Sequence, residues 1–207
     1  MTLSSDSPLN PDRLRAALAA FAPRTVELAG RRAAAVVVAV GETADGEAGF
    51  LLTMRPDRMR AHPGQFALPG GSVDPGETLP VAALRELQEE VGIVADESQV
   101  LGRLDDYVTR SGYVISPFVV WVGTDLTRVV PNPDEVATVF VPTITELDVE
   151  PRFVTIPESD RPIVQWPFRG SLVHAPTGAV VHQFREVALY GRHTRIDRFD
   201  QPVFAWK

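Results

Sequence analysis

The chain contains no cysteine, which excludes disulfides, thiolate zinc sites and a cysteine nucleophile, and is compatible with a reducing compartment. Lysine is almost as scarce: Lys207 is the only one, so nearly all positive charge is arginine, a genomic bias from which no function is read. No apolar run approaches the ~18 residues of a membrane span, and the start, MTLSSDSPLNPDR, lacks the basic-then-apolar layout of a signal peptide. A cytoplasmic protein without a membrane partner is expected. Positive charge is also in deficit overall. The net charge of −7 argues against a general nucleic-acid binder, which needs a basic face for the phosphate backbone. Small anionic substrates stay open wherever positive charge is concentrated. Internal repeats and low-complexity tracts are missing too.

What is present suffices for a core. With 207 residues and 44% hydrophobic content, one domain with extensions is expected. Residues 1–32 read as a polar leader followed by an amphipathic helix over Pro11–Phe21, capped by Asn10, with Leu14, Ala17, Leu18 and Phe21 at helical spacing. Ala33–Val40 is a continuous apolar, β-branched run, GETADGE supplies turn residues, and Gly49–Met54 is the return strand. A continuous run implies burial on both faces. Strand, turn, strand, Gly-rich loop and helix predict an α/β arrangement with helices covering a mixed sheet.

The organising stretch is Gly71–Ile93, GSVDPGETLPVAALRELQEEVGI. Thr78 is the expected N-cap, Pro80 falls in the first turn where its missing N–H is harmless, and Gly92 offers the left-handed C-terminal position. At about 100° per residue, Pro80, Leu84, Leu87 and Val91 share a packing face, while Glu86, Glu89 and Glu90 lie opposite with Ala82. Glu86 and Glu90 are like charges at i, i+4, costing a few tenths of a kcal/mol, and all three acids sit toward the negative end of the helix dipole. Arg85 can pair with Glu89 but offsets only one charge. A local rule broken in this way is expected at a functional site. Three carboxylates converging on a helix face make an all-oxygen site for Mg²⁺ or Mn²⁺, and Mg²⁺ completes its shell with waters and substrate phosphates.

Between the second strand and this stretch, Arg55, Arg58, Arg60 and His62 concentrate positive charge in an acidic protein. Arginine's planar fork suits phosphate, and their position beside the acidic helix favours substrate binding over a solvated basic loop. Tyr107, Tyr113 and Phe118 are weaker candidates for stacking on a base, since strand aromatics are more often core. Ser116-Pro117 interrupts the strand-like Tyr113–Val122 run and suggests an edge or a bulge. In the tail, His174, His182 and His193 lack metal-ligand spacing. Short strand-like runs there are read as an extra hairpin and helix that shape the pocket or form a dimer contact.

The stretch resembles the Nudix box: Gly71, Glu77, Arg85, Glu86, Leu87, Glu89, Glu90, Gly92 and Ile93 fill its fixed positions. Upstream, Leu51, Leu52, Thr53, Arg55, Arg60, Gly64, Pro69, Gly70 and Gly71, with His62 and Gln65, are similar to the signature of the coenzyme A pyrophosphatase subfamily. Pro56 and Leu68 depart from it. The resemblance implies an α/β/α sandwich with a mixed β-sheet, a Nudix core over 33–150, and a C-terminal extension, 151–207, packed on the same domain. It further implies hydrolysis of a pyrophosphate linkage, with Glu86, Glu89, Glu90 and the Gly71 carbonyl as metal ligands, and Glu89 as ligand or general base. Arg85 would orient Glu89 or contact phosphate, and Glu77 would be a structural carboxylate of the loop. Arg55, Arg60, His62, Gln65 and Gly70 would bind substrate. Glu135, beside Asp134 at a strand entry, is a further metal ligand, a water-orienting base or a surface turn acid. Coenzyme A is the implied substrate. ADP-ribose, NADH, a dinucleoside polyphosphate or an oxidised nucleoside triphosphate are the rivals, and a non-catalytic nucleotide sensor is the alternative of another class. A monomer or homodimer is expected.

Overall fold

The structure, a computed structural model, describes residues 7–58, 64–123 and 125–205. It begins with α1, Pro11–Phe21, capped as expected by Asn10, whose side chain accepts from Asp12 N at 3.0 Å. Leu14, Leu18 and Phe21 are buried, so the helix does pack into the core. The strands β1 (Arg32–Glu42), β2 (Ala48–Phe50), β3 (Leu52–Met54), β4 (Phe66–Ala67) and β5 (Gly70–Ser72) precede α2, Leu79–Val91. Beyond it lie β6 (Val100–Arg103), β7 (Tyr107–Val108), β8 (Tyr113–Gly123), β9 (Thr138–Phe140) and α3 (Ile144–Leu147). The tail forms β10 (Arg152–Ile156), β11 (Ser159–Phe168), β12 (Ser171–His174) and α4 (Thr177–Tyr190).

The central sheet runs β2-β1-β8-β6, with β5 also on β1 and β7 also on β8. Only β1 and β8 are parallel within it, so the sheet is mixed. The apolar run in β1 is buried on both faces. Ala35, Val37 and Ala39 join Leu84, Leu87 and Val91 of α2 in one core, while Val38 and Val40 join α1, α4, Trp166 and Phe168 in a second. Helices on both faces of a mixed sheet make the α/β/α sandwich, and the tail contributes its hairpin strands and α4 to the second core. Among the described residues no helix is long and apolar enough to cross a membrane.

One strand expectation is corrected, and a second is narrowed from two alternatives to one. The return strand is two: β2 stays on β1, whereas β3 turns into a separate sheet, β4-β3-β9, which carries Arg55 and Gln65 at its end. Pro117 lies in the middle of β8, not at an edge but at an irregularity: Arg103 pairs with Phe118 and Tyr107 with Ile115, so the partner side carries one extra residue opposite it, as a bulge does. Its carbonyl accepts from Leu104 N at 3.0 Å, so its polar side faces the gap between β6 and β7. A residue without an N–H sits there without breaking a ladder bond.

Candidate active site

Helix α2 starts and stops where its residues dictate. Thr78 Oγ1 accepts from Val81 N at 3.4 Å, Pro80 lies in the first turn, and Gly92 closes the helix at φ +73° with its N–H donating to Gln88 O. The orphan carbonyls of the last turn are met by the loop that follows β8: Val130 N donates to Val91 O (3.0 Å) and Asn132 N to Glu90 O (2.8 Å). That lacing brings Glu135 against the helix, where Asn132 Nδ2 donates to its carboxylate at 3.2 Å.

Glu86, Glu90 and Glu135 therefore converge, with one carboxylate oxygen from each lying within 4.8 Å of the others. The acidic face is not simply opposed to the packing face. Ala82 is fully buried and Glu90 is only 3% exposed, because the 130–136 loop and β5 cover this side of α2. Glu89 is not brought to the cluster. At i+3 from Glu86 it rotates away from Glu90, its side chain is half exposed, and it is held by Arg85 Nη1 at 2.9 Å.

Arg85 is the organiser of the loop. Its Nε and Nη2 grip both oxygens of Glu77 at 2.9 and 3.1 Å, Nη1 donates to Glu86 as well as Glu89, and Nη2 donates to Ser72 O at 3.1 Å. With its donors so committed, Arg85 orients carboxylates and does not offer its fork to phosphate. Glu77 is held below its ordinary pKa by Arg85 and by the Asp74 N–H, in keeping with a loop-fixing role.

Burial pushes the Glu90 carboxyl up to about 8, and the charges of Glu86 and Glu135 push the same way; the Arg55 cation and the Gly70 N–H oppose them. Burial also raises Glu86, against the pull of Arg85. A buried carboxylate beside two others must be neutralised by a proton or by a cation. The backbone next to it is shaped for close approach: a Cβ on Gly71 would stand 2.5 Å from Glu86 Oε1. Three carboxylates beside a side-chain-free strand fit a hard divalent cation; in that strand Gly71 is paired with Ala35 of β1, and it is Gly70 that turns its N–H to Glu90.

A cavity of about 770 Å³ opens on the other side of β5. Gly70, Gly71, Arg55 and Gln65 form the wall nearest the carboxylates, and Ala34, Val36 and Ile115 form its floor. Arg55 Nε is buried and finds no hydrogen-bond partner among the described residues. Arg60 and His62 lie outside the described residues. Arg58 is committed elsewhere, to Asp134 and the Pro133 carbonyl.

Of the three aromatics, Tyr113 lines the cavity; Tyr107 and Phe118 are buried, and the Tyr107 hydroxyl donates to Phe199 O. His182 is buried against Phe153 and Phe199, and His174 faces Gln165 and Phe204. Sequence reasoning missed the rest of the cavity: Arg32, residues 109–112 of the turn before Tyr113, Pro176, Thr177 and Val180 of α4, and Gln201. No local pattern marks these, since each reaches the cavity through a long-range contact.

Fold and site together define an α/β domain with a carboxylate cluster that could hold a cation, built on a glycine-flanked helix beside a ligand-sized cavity. The NUDIX domain family matches residues 30–166, and the chain belongs to that family. It is 37% identical over 128 residues to Nudix hydrolase 3 of Caenorhabditis elegans, a match covering 60% of this chain and 53% of that protein. It is 40% identical over 121 residues to the uncharacterized Nudix hydrolase NudL of Citrobacter koseri, covering 58% of this chain and 62% of the relative. The chain thus matches 53% and 62% of the lengths of these two relatives. The NudL protein of Pectobacterium atrosepticum is 35% identical over 140 residues, covering 65% and 72%. The fold is shared with the NUDIX hydrolase of Alicyclobacillus acidocaldarius, at a TM-score of 0.52 and 19% identity, covering 78% of this chain and 93% of that one.

Proposed function

We propose that this protein hydrolyses the diphosphate of coenzyme A or an acyl-CoA, giving 3′,5′-ADP and 4′-phosphopantetheine or its acyl form, with Mg²⁺ or Mn²⁺ as cofactor. The observation that carries the hydrolytic reading is the convergence of Glu86, Glu90 and Glu135 within 4.8 Å beside Gly71. The choice of coenzyme A rests on the signature residues between Leu51 and Gly71.

Glu86, Glu90, Glu135 and the Gly71 carbonyl would hold the cation, and when bound it would neutralise phosphate charge and acidify water. Arg85 keeps Glu86 and Glu89 in place before substrate arrives, so little reorganisation is needed during the reaction. Arg55 presents a cation between Glu90 and the cavity, where a phosphate oxygen suits its orphaned N–H. Glu89, half exposed and oriented by Arg85, would accept a proton from water. In the overall reaction, water adds hydroxide to one phosphorus, the bridging P–O bond breaks, and the proton ends on the released phosphate.

The test is a substrate panel under one set of metal conditions: coenzyme A, an acyl-CoA, ADP-ribose, NADH, a dinucleoside polyphosphate and an oxidised nucleoside triphosphate. The expected kcat/KM for coenzyme A or acyl-CoA exceeds the others by at least about tenfold, with products identified by mass spectrometry. A tenfold preference for another compound would replace the substrate. Tight nucleotide binding with no turnover would favour the nucleotide-sensing alternative.

A further inference from the structure

The cavity has a second end. Arg32 and Tyr113 are direct partners across the parallel β1–β8 pair, and the Arg32 guanidinium lies 4.0 Å from the centre of the Tyr113 ring. The turn that presents Tyr113 is tightly held: Tyr113 N donates to Thr109 Oγ1 at 2.9 Å, Arg110 N to Gln201 Oε1 at 2.7 Å, and Arg32 N to Gly112 O at 2.9 Å. The ring is thus a fixed platform.

Arg32 differs from the other arginines of the cavity. Arg110 is bound through its Nε and Nη2 to Asp200, and Arg55 faces Glu90. Arg32 has no carboxylate partner among the described residues, although the protein carries a net charge of −7; its one side-chain interaction among those residues is the ring beneath it. An arginine held over an aromatic face by its guanidinium carbon keeps N–H donors available for an oxyanion. The hydroxyls of Thr109 and Ser111, which bond each other at 3.1 Å, line the same end.

The two ends are separated along one strand. Val36 pairs with Gly70 at the carboxylate end, and four residues of β1 at about 3.3 Å each place Arg32 roughly 13 Å away along the strand. Ala34, Val36 and Ile115 between them form an apolar floor suited to a base or sugar edge. A ligand that fits has a diphosphate at one end, a sugar over the apolar floor and a further anionic group on that sugar within reach of the long Arg32 side chain.

We propose that Arg32, stacked on Tyr113, binds a ribose phosphomonoester of the substrate and thereby selects nucleotides carrying one over those that do not. This rests on the proposed hydrolysis of coenzyme A, whose ribose bears such a phosphate, and names the residue that reads it.

The experiment compares coenzyme A with 3′-dephospho-coenzyme A on the wild-type protein and on Arg32→Gln and Arg32→Lys. The wild type should prefer coenzyme A by about tenfold or more in kcat/KM, the scale of a charge-assisted contact. Arg32→Gln should bring that ratio to within about threefold of one by lowering activity on coenzyme A alone, and Arg32→Lys should restore part of it. Calorimetry with the metal chelated gives a reading apart from turnover: 3′,5′-ADP should bind the wild type more tightly than 5′-AMP, and Arg32→Gln should abolish the difference. If both coenzymes are hydrolysed and Arg32→Gln leaves their ratio unchanged, the assignment of Arg32 falls while the hydrolytic reading stands. If neither is hydrolysed but another pyrophosphate is, the substrate reading and this assignment fall together.

Discussion

The Glu86 carboxylate occupies the space a side chain on Gly71 would need: a Cβ there would stand 2.5 Å from Oε1 and 2.7 Å from Cδ. Moving Glu86 aside breaks its bond from Arg85 Nη1, which holds the same Oε1 at 2.9 Å. Gly71→Ala should therefore displace Glu86 from Glu90 and Glu135 while leaving β5 paired to β1. The expected result is a rise of at least about tenfold in the cation concentration for half-maximal activity, with a melting temperature within a few degrees of wild type. An unchanged metal requirement would remove Gly71 from the site.

Glu135 and Glu89 should separate in a metal titration. Glu135 is within the carboxylate cluster and Glu89 is held outside it by Arg85. Glu135→Gln should weaken the apparent Mn²⁺ affinity about tenfold or more. Glu89→Gln should change that affinity less than about threefold and lower kcat instead, as loss of a positioned proton acceptor does.

Glu90 makes the metal-free protein pH-sensitive. Its carboxyl is raised from the ordinary 4.5 to about 8, so between those values the folded state keeps a proton that the unfolded chain releases. Stability is then fully present below about pH 4.5 and declines as pH rises toward 8. Thermal melting in chelator at about pH 5 and about pH 8.5 should show this decline beyond that of Glu90→Gln, and Mn²⁺ should reverse it in the wild type. The same Glu90→Gln protein should fold but lose metal-dependent hydrolysis.

Asp200 ties the tail to the cavity. It is 2% exposed and receives Arg110, Arg161 and Ser159, and Arg110 holds its carboxyl well below the usual carboxylate range. Because the folded pKa is depressed, the stabilisation is present above the unfolded value near 3.9 and is lost as pH falls below it. Asp200→Asn should cost roughly 2–4 kcal/mol in urea unfolding at neutral pH, and the gap to wild type should close in acid.

Legibility varied with the range of the contacts. Helix α2 could be read to the residue, since Thr78, Pro80 and Gly92 act through bonds to near neighbours in the chain. Burial of β1 on both faces was likewise written in an unbroken apolar run. Glu89 and Glu135 were harder. Both were named as acids of interest, but helical spacing alone cannot say which carboxylates meet when an outside loop supplies one of them. Pro117 was ambiguous for a related reason: its missing N–H allowed an edge or a bulge, and only the strand pairing puts it at the irregular gap between β6 and β7 inside the sheet.

By itself the amino-acid order determined the helix, its caps, the strand that is buried on both sides and the inventory of acids and arginines available for chemistry, because these follow from propensity and periodicity over a few residues. Only the tertiary structure decided that Glu135 joins Glu86 and Glu90 while Glu89 does not, and that Arg32 meets Tyr113 at the far end of a cavity roofed by α4. Those meetings depend on strand register and on loop-to-helix hydrogen bonds between distant segments, which no local pattern encodes.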